Sequence, residues 1–437
     1  MKTSLTLFLF VSFSLLFAYC TKNAQVVAPV TSANSNELLS YKTSTVPTID
    51  GTIDAIWDNA TKVNLTATVP DPGSNLFTGY IGETYTGTLR SMYDGQYIYF
   101  LAEIRDNDKS IKSAPWYFNP TTKLWAKEGT SKSFDANGVM TRIGFGEDKF
   151  SMLWNVNNST AKFATQTCYA SCHVFGPYLD YSKTPAAMSP GTGGNHYTNG
   201  VNEKIDMWWL HPNRGLAFGN MDDNYQDWAG GPTYTAVTGG NGNGRHFDDL
   251  VLDGTKSATW PFRPAYTADA TQGSIANTQN LKLDGTGTTV AVPKWIIPGS
   301  AADFIKAADT LAGGTAKLVT AVSSTGVLTY NGGTIDPTVG TEYQRLGTSA
   351  TAEIGAKCFP GNIVAPVLRG RADIGMSAVY TGSGWIYEYK RLLKTTDVLN
   401  QDVDFSSLND QPFGVAFWNR CNNQHGIHPG LLLRFQK

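Results

Sequence analysis

The chain has 437 residues, a formal net charge of −2, and 41% hydrophobic, 12% aromatic and 16% charged residues. This length and apolar content support a large folded core, while the balanced charge and the lack of a basic stripe exclude nucleic acid as the expected partner. The composition is weakly charged and rich in Thr, Ser and Asn, with 44 glycines. It is typical of exported all-β proteins.

The amino terminus has the pattern of an export signal. Lys2 precedes an apolar run from Leu5 to Ala18, which is too short for a confident membrane span. We therefore predict a signal peptide over residues 1–19. Cys20 follows the run directly, which favours a bacterial lipoprotein lipidated at Cys20 and held at a periplasmic or outer-membrane surface, although Tyr19 stands where a small residue is preferred. An uncleaved anchor and a soluble exported form are the alternatives.

The first predicted elements after a polar tether over residues 20–40 are strands. Residues 86–106 alternate polar and apolar side chains around the turn Tyr93-Asp94-Gly95, which predicts a β-hairpin. Residues 142–156 repeat the alternation and lead into a cluster of cysteines.

The second half of the chain also predicts strands, over residues 372–380, 384–391 and 413–419, whereas the best candidate helix covers 301–311. Two Gly/Thr-rich stretches, 230–244 and 314–347, are predicted to be long inserted loops. The fold class is therefore mainly β: one β-sandwich domain over residues 41–437, with long loop insertions and a few short helices.

The sequence Cys168-Tyr-Ala-Ser-Cys172-His173 carries the clearest chemistry. Two cysteines, the second followed directly by a histidine, can attach a haem covalently, with the imidazole as an axial ligand of the iron. The usual spacing places two residues between the cysteines, and here there are three. A Cys168–Cys172 disulfide with His173 as a bystander is the alternative. A zinc site is disfavoured because no second pair of ligands completes it.

Further haem contacts are predicted from position in the chain. Met188 is the candidate sixth ligand, because it follows the motif in a Pro/Gly-containing segment and a thioether raises the reduction potential. His211 and Arg214 are candidates to contact the haem propionates. Met152, on a predicted strand, is expected in the core. The alternatives for the sixth ligand are His196, Lys294 and Lys357.

Two further cysteines remain if Cys20 is lipidated and the motif cysteines are occupied. An oxidising compartment favours disulfides, so we predict that Cys358 pairs with Cys421.

Short motifs along most of the exported chain carry a family resemblance. They are Ile49-Asp50-Gly51 with Trp57, Met92-Tyr93-Asp94-Gly95 with Tyr97-Ile98-Tyr99, Phe150 to Trp154, Cys168 to His173, Asp206 to Trp209, Gly384 to Arg391, and Phe413 to Phe417. Their order and spacing resemble the ethylbenzene-dehydrogenase-related haem-binding family, also described as a cytochrome c-type or DMSO-reductase-like haem-binding domain.

This resemblance implies a β-sandwich that holds one haem and passes single electrons, in some members as the cytochrome subunit of a molybdenum oxidoreductase. Those subunits use Met and Lys axial ligands on a non-covalent haem b, which is why Lys294 and Lys357 are retained as candidates. The cysteine pair departs from that type and favours c-type haem. An electron carrier or haem subunit is therefore expected, rather than a catalytic chain.

The opening motif also resembles family 9 carbohydrate-binding modules, which share the sandwich. In this alternative, the protein is a surface glycan-binding lipoprotein with aromatic stacking platforms and calcium-binding aspartates. The candidate platforms are Trp208, Trp209, Trp228 and Tyr225, and the candidate aspartates are Asp106, Asp108, Asp222 and Asp223. For Trp208 and Trp209, a position in the core is as strongly expected as a role as a platform. The cysteine motif favours haem over glycan, since a sugar module has no use for it.

An enzymatic metal centre is a third hypothesis. His425-Gly-Ile-His428 and His246-Phe-Asp248-Asp249 could seed one, but neither has the helix-borne spacing of a hydrolytic metal site.

Overall fold

The computed structural model describes residues 36–71, 77–171, 178–180, 187–189, 198, 202–227, 245–248, 250–252, 266–268, 271–340, 342–345, 357–397 and 400–437. Strands predominate in these residues, so the prediction of a mainly β fold is confirmed. Of the described helices, none has the length and apolar character to cross a membrane.

The strands in chain order are β1 (Glu37–Lys42), β2 (Val63–Thr68), β3 (Thr84–Tyr93), β4 (Tyr97–Arg105), β5 (Trp116–Asn119), β6 (Leu124–Lys127), β7 (Ser133–Phe134), β8 (Met140–Arg142), β9 (Glu147–Asn155), β10 (Tyr178–Asp180), β11 (Ala187–Ser189), β12 (Ile205–Leu210), β13 (Asp222–Gln226), β14 (Arg245–Phe247), β15 (Leu250–Leu252), β16 (Tyr266–Ala268), β17 (Gly273–Ala276), β18 (Gln279–Lys282), β19 (Thr289–Val292), β20 (Trp295–Ile296), β21 (Ile305–Lys306), β22 (Lys317–Val322), β23 (Leu328–Tyr330), β24 (Gly333–Ile335), β25 (Asn362–Ala365), β26 (Gly375–Tyr380), β27 (Gly384–Leu392), β28 (Gln411–Cys421) and β29 (Gly426–Phe435). The helical segments are one short α-helix, α1 (Phe163–Gln166), and the 3-10 turns Ala55–Asn59, Val156–Asn158, Thr167–Ala170, Leu216–Phe218, Ala307–Thr310 and Arg369–Ala372.

Twelve of the described strands form one sheet, in the order β14-β13-β12-β9-β28-β29-β1-β3-β4-β27-β26, with β2 paired to both β29 and β3. The pairings are antiparallel except at β1, which runs parallel to β29 and to β3. The predicted hairpin over residues 86–106 is confirmed as β3 and β4.

The sheet folds over into two layers. Phe100 on β4 packs against Trp154 on β9 and Trp208 on β12, with ring centroids 5.9 and 5.7 Å apart. Neighbouring strands lie about 4.8 Å apart, so strands this distant in the sheet order can meet only face to face. The hydroxyl of Tyr389 on β27 likewise donates to the sulfur of Met152 on β9, at 2.8 Å. The core of a β-sandwich therefore lies between β9, β12 and β28 on one side and β4 and β27 on the other, and Met152 belongs to it as predicted.

A second β region has its own hydrophobic core. Hairpins β5–β6 and β18–β19 and the sheet β20-β22-β23-β24 surround these buried residues: Trp116, Phe118, Trp125, Val292, Ile296, Val319, Val322, Leu328, Ile335, Tyr343 and Phe359. The prediction of a loop over 314–347 is therefore wrong for residues 317–335. Glycine turns join the very short strands there. Gly326 has φ +87°, and a Cβ on it would lie 2.0 Å from the Phe118 ring.

Three other boundary predictions have different outcomes. The tether over residues 20–40 is too long, because Glu37 to Ser40 pair in register with Leu432 to Phe435 of β29. The helix over 301–311 is wrong: β21 pairs with β25 there and a 3-10 turn follows, with Leu311 68% exposed, so no apolar helix face forms. The insertion at 230–244 lies outside the described residues.

Candidate functional site

Strands β9 and β12 bury side chains on both faces of the sheet. Alternate residues of a strand point to opposite sides, so Trp208 faces the sandwich core while Met207 and Trp209 face outward. All six residues of β12 are nevertheless buried. Helical segments that follow β9 cover the outward side, which we call the outer face; its hydrophobic cluster includes Leu153, Phe163 and Ile205.

The turn that carries Cys168 is fixed on the outer face. The Oγ1 of Thr167 accepts a 2.8 Å hydrogen bond from the Gly430 amide on β29. The Thr167 methyl group fills the space over Gly414 on β28, where an added Cβ would lie 2.2 Å from it. Cys168 itself packs against the cluster that contains Trp209. Gly414 therefore lets the turn approach the sheet closely.

Trp209 lies among cationic side chains. The distances to its ring centroid are 5.6 Å from the Lys149 Nζ, 5.2 Å from the Arg214 guanidinium and 4.8 Å from the Arg245 guanidinium. The buried Nε1 of Trp209 and Oε1 of Gln226 have no hydrogen-bond partner in the described structure. Buried polar atoms are nearly always bonded, so these two atoms are candidates to contact a bound polar group.

His211 is held next to a buried carboxylate. Its Nδ1 lies 2.7 Å from an oxygen of Glu147. Burial lowers the pKa of His211 to about 4, with help from Arg214 and Lys149 and against the attraction of Glu147. Burial acts to raise the pKa of Glu147, but His211, Lys149 and the Asn213 amide outweigh it and the pKa falls to about 2.

These pKa values define the tautomer of His211 at neutral pH. The imidazole is neutral and Glu147 is ionised, so the ring proton belongs on Nδ1, facing the carboxylate, and Nε2 carries the lone pair. A histidine oriented by a carboxylate in this way is typical of metal ligands.

The charges of the outer face favour an anion. Asp222 accepts hydrogen bonds from Arg371 at 2.7 and 3.0 Å and from Arg214 at 2.6 Å. Burial lowers the pKa of Arg245 to about 10, which still leaves it charged at neutral pH. Burial also lowers the pKa of Lys149. Arg214 and Arg371 thus share the carboxylate of Asp222, while Arg245 and Lys149 are further cationic side chains beside the Trp209 ring.

The structure brings three of the predicted haem contacts to this face, namely Cys168, His211 and Arg214. Trp209 links them, because its ring contacts His211 at a centroid distance of 5.2 Å and also contacts Arg214. Sequence reasoning missed Glu147, Lys149, Arg245 and Gln226, which belong to strands far apart in the chain.

The remaining predicted ligands have other positions. Cys172, His173 and His196 lie outside the described residues, as does Cys20. Met188 lies on β11, paired with Leu179 of β10, and not in a free loop as expected.

The two candidate lysines belong to the second β region, away from the outer face. Lys294 is exposed just before β20. The Nζ of Lys357 lies 2.8 Å from a carboxylate oxygen of Glu342.

The predicted Cys358–Cys421 disulfide is wrong, because both residues are free thiols in the structure. Cys421 belongs to a cluster with Tyr80 and Trp418, whereas Cys358 is beside Lys112, 3.9 Å from its Nζ. A disulfide requires the two Cα atoms within about 7 Å. The fold instead gives the two thiols different neighbours.

The aromatic platforms of the glycan-binding alternative are buried. Trp208 is in the sandwich core, Trp209 is under the outer-face cluster, and Tyr225 is 2% exposed. Stacking on a sugar requires an open ring face, so the platform role is wrong for these three residues. Trp228 lies outside the described residues.

The candidate calcium aspartates of that alternative are separated. Asp222 is bonded to two arginines on the outer face, while Asp223 faces the sandwich core beside Trp208. Burial raises the pKa of Asp106 to about 6, and Asp108 pairs with Arg420 at 3.1 Å.

The histidines of the metal-enzyme hypothesis have separate contacts. His425 stacks on Trp418 with centroids 4.5 Å apart, and the Nδ1 of His428 accepts the Thr66 amide at 2.9 Å. The Nε2 of His246 lies 3.2 Å from an oxygen of Asp227. Asp249 lies outside the described residues, whereas Asp248 is next to the carboxylates considered further below.

The fold and the outer face together define a class: a two-layer β protein with a buried cluster of aromatic and cationic side chains on the outer side of one sheet layer. The family model described as ethylbenzene dehydrogenase matches residues 54–429, so the chain belongs to the ethylbenzene dehydrogenase family. This confirms the family part of the resemblance. Covalent, cytochrome c-type haem attachment stays a prediction.

Other comparisons add little. The search of curated proteins found no match. Among solved structures, the chain is similar to a family 9 carbohydrate-binding module from Caldicellulosiruptor kristjanssonii in complex with glucose, at 8% identity and a TM-score of 0.25, over 92% of this chain and 95% of that chain. The same module in complex with cellotriose gives the same identity and score, over 92% and 93% of the two chains. Scores this low carry no argument about function.

Proposed function

We propose that the protein is an exported haem-binding protein of periplasmic or surface electron transfer. One haem is attached through Cys168 and Cys172, with His173 as an axial ligand and Met188 as the sixth. The observation that carries this proposal is the position of the Cys168 turn, which packs on the same buried cluster as Trp209 and its ring of cations. A covalent attachment point thus adjoins a site suited to the two anionic propionates of a haem.

The described residues fit this cofactor in three ways. Arg214 and Arg245 supply positive charge for the propionates, and the unpaired Nε1 of Trp209 supplies a further donor. His211, with its lone pair on Nε2, is suited to bond a propionate through water. The haem would supply a one-electron couple. The surrounding cations favour its reduced form and so raise the reduction potential.

The redox partner is proposed to be a molybdenum oxidoreductase, on the strength of membership in the ethylbenzene dehydrogenase family. The chain would then relay electrons to or from that enzyme without catalysing the reaction itself.

Haem content is the direct test. Protein made in a host with cytochrome c maturation is expected to give a c-type pyridine haemochrome spectrum with one haem per chain. A b-type spectrum would show that the protein binds haem without thioether bonds to its cysteines. Protein without haem would contradict the proposed function.

The same preparation tests the location of the haem. Arg245→Gln removes a positive charge beside Trp209, so the midpoint potential is expected to fall in a potentiometric titration. Lys394→Gln is the control, because Lys394 is 69% exposed and pairs with Asp404 at the surface. If both variants keep the wild-type potential, the haem is not at the outer face.

The lipid anchor is a separate proposal. Metabolic labelling with palmitate is expected to mark the wild type and not Cys20→Ser, because Cys20 follows the apolar run without a gap. Unlabelled wild type that is released as a soluble protein would contradict the anchor and leave the haem proposal intact.

A further inference from the structure

Three carboxylates converge inside the sandwich, on the opposite side of β12 from Trp209. Asp206 of β12 and Asp223 of β13 are diagonal neighbours on the inner side of the sheet. Asp402 reaches them from the segment before β28. One carboxylate oxygen from each of the three lies within 4.8 Å of the others, and Asp206 and Asp223 are fully buried.

Each of these carboxylates has one bonded oxygen and one unbonded oxygen. The Oδ2 of Asp206 accepts from Arg391 at 2.8 Å, from the Trp208 indole at 3.0 Å and from the Val403 amide at 3.0 Å. The Oδ1 of Asp223 accepts from the Asn224 amide at 3.0 Å. The Oδ2 of Asp402 accepts from the Thr395 hydroxyl.

The other oxygens, Asp206 Oδ1, Asp223 Oδ2 and Asp402 Oδ1, are buried without a hydrogen-bond donor in the described structure, and so is the Oδ1 of Asp248. Buried carboxylate oxygens normally accept hydrogen bonds or coordinate a cation. Asp206, Asp223 and Asp402 thus each keep one oxygen without a hydrogen bond in the described structure, while the Nη1 of Arg391 lies 3.8 Å from the Oδ1 of Asp402.

The charge of the cluster is also uncompensated. Three carboxylates, those of Asp206, Asp223 and Asp402, act on one guanidinium, that of Arg391. Either protons or a cation must neutralise this excess. Calcium prefers clusters of carboxylate oxygens in flexible geometry, whereas magnesium demands a near-ideal octahedron and retains waters.

We propose that Asp206, Asp223 and Asp402 bind a calcium ion. The ion joins the segment containing Asp402 to β12 and β13, and these two strands carry Trp209 and Asp222 on their outer side. Its role is therefore to fix the strands that support the outer face. The site is independent of the haem proposal, because it uses the inner side of the same strands.

Calcium binding is tested on the full chain after treatment with EDTA and desalting at neutral pH. Calcium that binds the folded state is expected to raise Tm with concentration, by mass action. Bound terbium is expected to luminesce on tryptophan excitation, because the Trp208 indole bonds Asp206 directly. Asp223→Asn is expected to lose both responses, with at least about a tenfold weaker Kd.

Asp373→Asn is the matched control. Burial, followed by repulsion from Asp402, raises the pKa of Asp373 to about 6, yet it contributes none of the three converging oxygens. This variant is expected to keep the calcium response. Asp402→Asn is the second ligand variant in case Asp223→Asn does not fold.

The ligand variants separate coordination from a purely structural role. In EDTA, Asp223→Asn is expected to melt no lower than the wild type, because it removes a carboxylate that its neighbours repel. If Asp223 had only a structural role, the substitution would lower Tm equally with and without calcium. Wild type that shows neither a calcium-dependent Tm nor terbium luminescence overturns the proposal. So does a response to magnesium alone, or an Asp223→Asn variant that responds like the wild type.

Discussion

Replacing Cys168 and Cys172 together by alanine is expected to abolish covalent haem attachment. The turn that carries Cys168 is bonded to β29 and packs against the Trp209 cluster, so the thiol is already in place next to the proposed haem site. Denaturing electrophoresis followed by haem-peroxidase staining should show a haem band at the mass of the wild type and none for the double variant. Cys358→Ala is the control, because this buried thiol lies in a different part of the fold.

Two variants of the docking surface test whether the turn positions Cys168. Gly414→Ala places a Cβ 2.2 Å from the Thr167 methyl group, which must move the turn. Its haem band should weaken even though every cysteine is retained. Adding Thr167→Ser removes that methyl group, keeps the hydroxyl that binds Gly430, and should restore the band. Extraction of all wild-type haem into acidified butanone would show that the attachment is not covalent and would favour the Cys168–Cys172 disulfide.

Asp222→Asn is expected to cause the largest loss of stability. The wild-type carboxylate is fully buried and bonds both Arg371, which is 2% exposed, and Arg214. Removing its charge leaves buried guanidiniums uncompensated, which typically costs about 3–5 kcal/mol of unfolding free energy. Urea denaturation followed by tryptophan fluorescence measures the difference. A loss below about 1 kcal/mol, the usual value of an exposed pair, would contradict the assignment.

The pH dependence and a surface control strengthen this test. Arg214 and Arg371 outweigh the effect of burial and lower the pKa of Asp222. Its contribution is therefore complete above the unfolded pKa of about 3.9 and declines as the pH falls through the lower folded value. The difference in unfolding free energy between wild type and Asp222→Asn should become smaller only in that acidic range. Asp404→Asn, which breaks the exposed pair with Lys394, should cost at most about 1 kcal/mol.

The sequence by itself determined the fold class and the positions of several strands along the chain. Alternation around Tyr93-Asp94-Gly95 defined the hairpin of β3 and β4, because a strand with one buried face repeats every two residues. Alternation does not identify the core-facing side of β12, because all six of its residues are buried. Whether Trp208 or Trp209 faced the core could not be read there, since both sides of the strand are covered.

Local sequence also misjudged residues 317–335 and the Cys358–Cys421 pair. The strands within residues 317–335 are too short, and the glycines there too frequent, for the sequence to distinguish them from a loop. Only the packing of their side chains around Phe118 identifies them as strands. Counting cysteines supplies no distance between them, and the fold leaves Cys358 and Cys421 as free thiols with different neighbours.

Only the tertiary structure decided the candidate sites. Glu147 and His211 are 64 positions apart in the chain, yet neighbouring strands bring them to 2.7 Å. Asp206 and Asp402 are even more distant in sequence and meet because the segment before β28 folds back onto β12. Each of these residues is an ordinary polar residue when seen locally. Its shifted pKa or its unbonded oxygen arises from burial beside particular partners, and burial is a property of the folded sheet rather than of any short stretch of sequence.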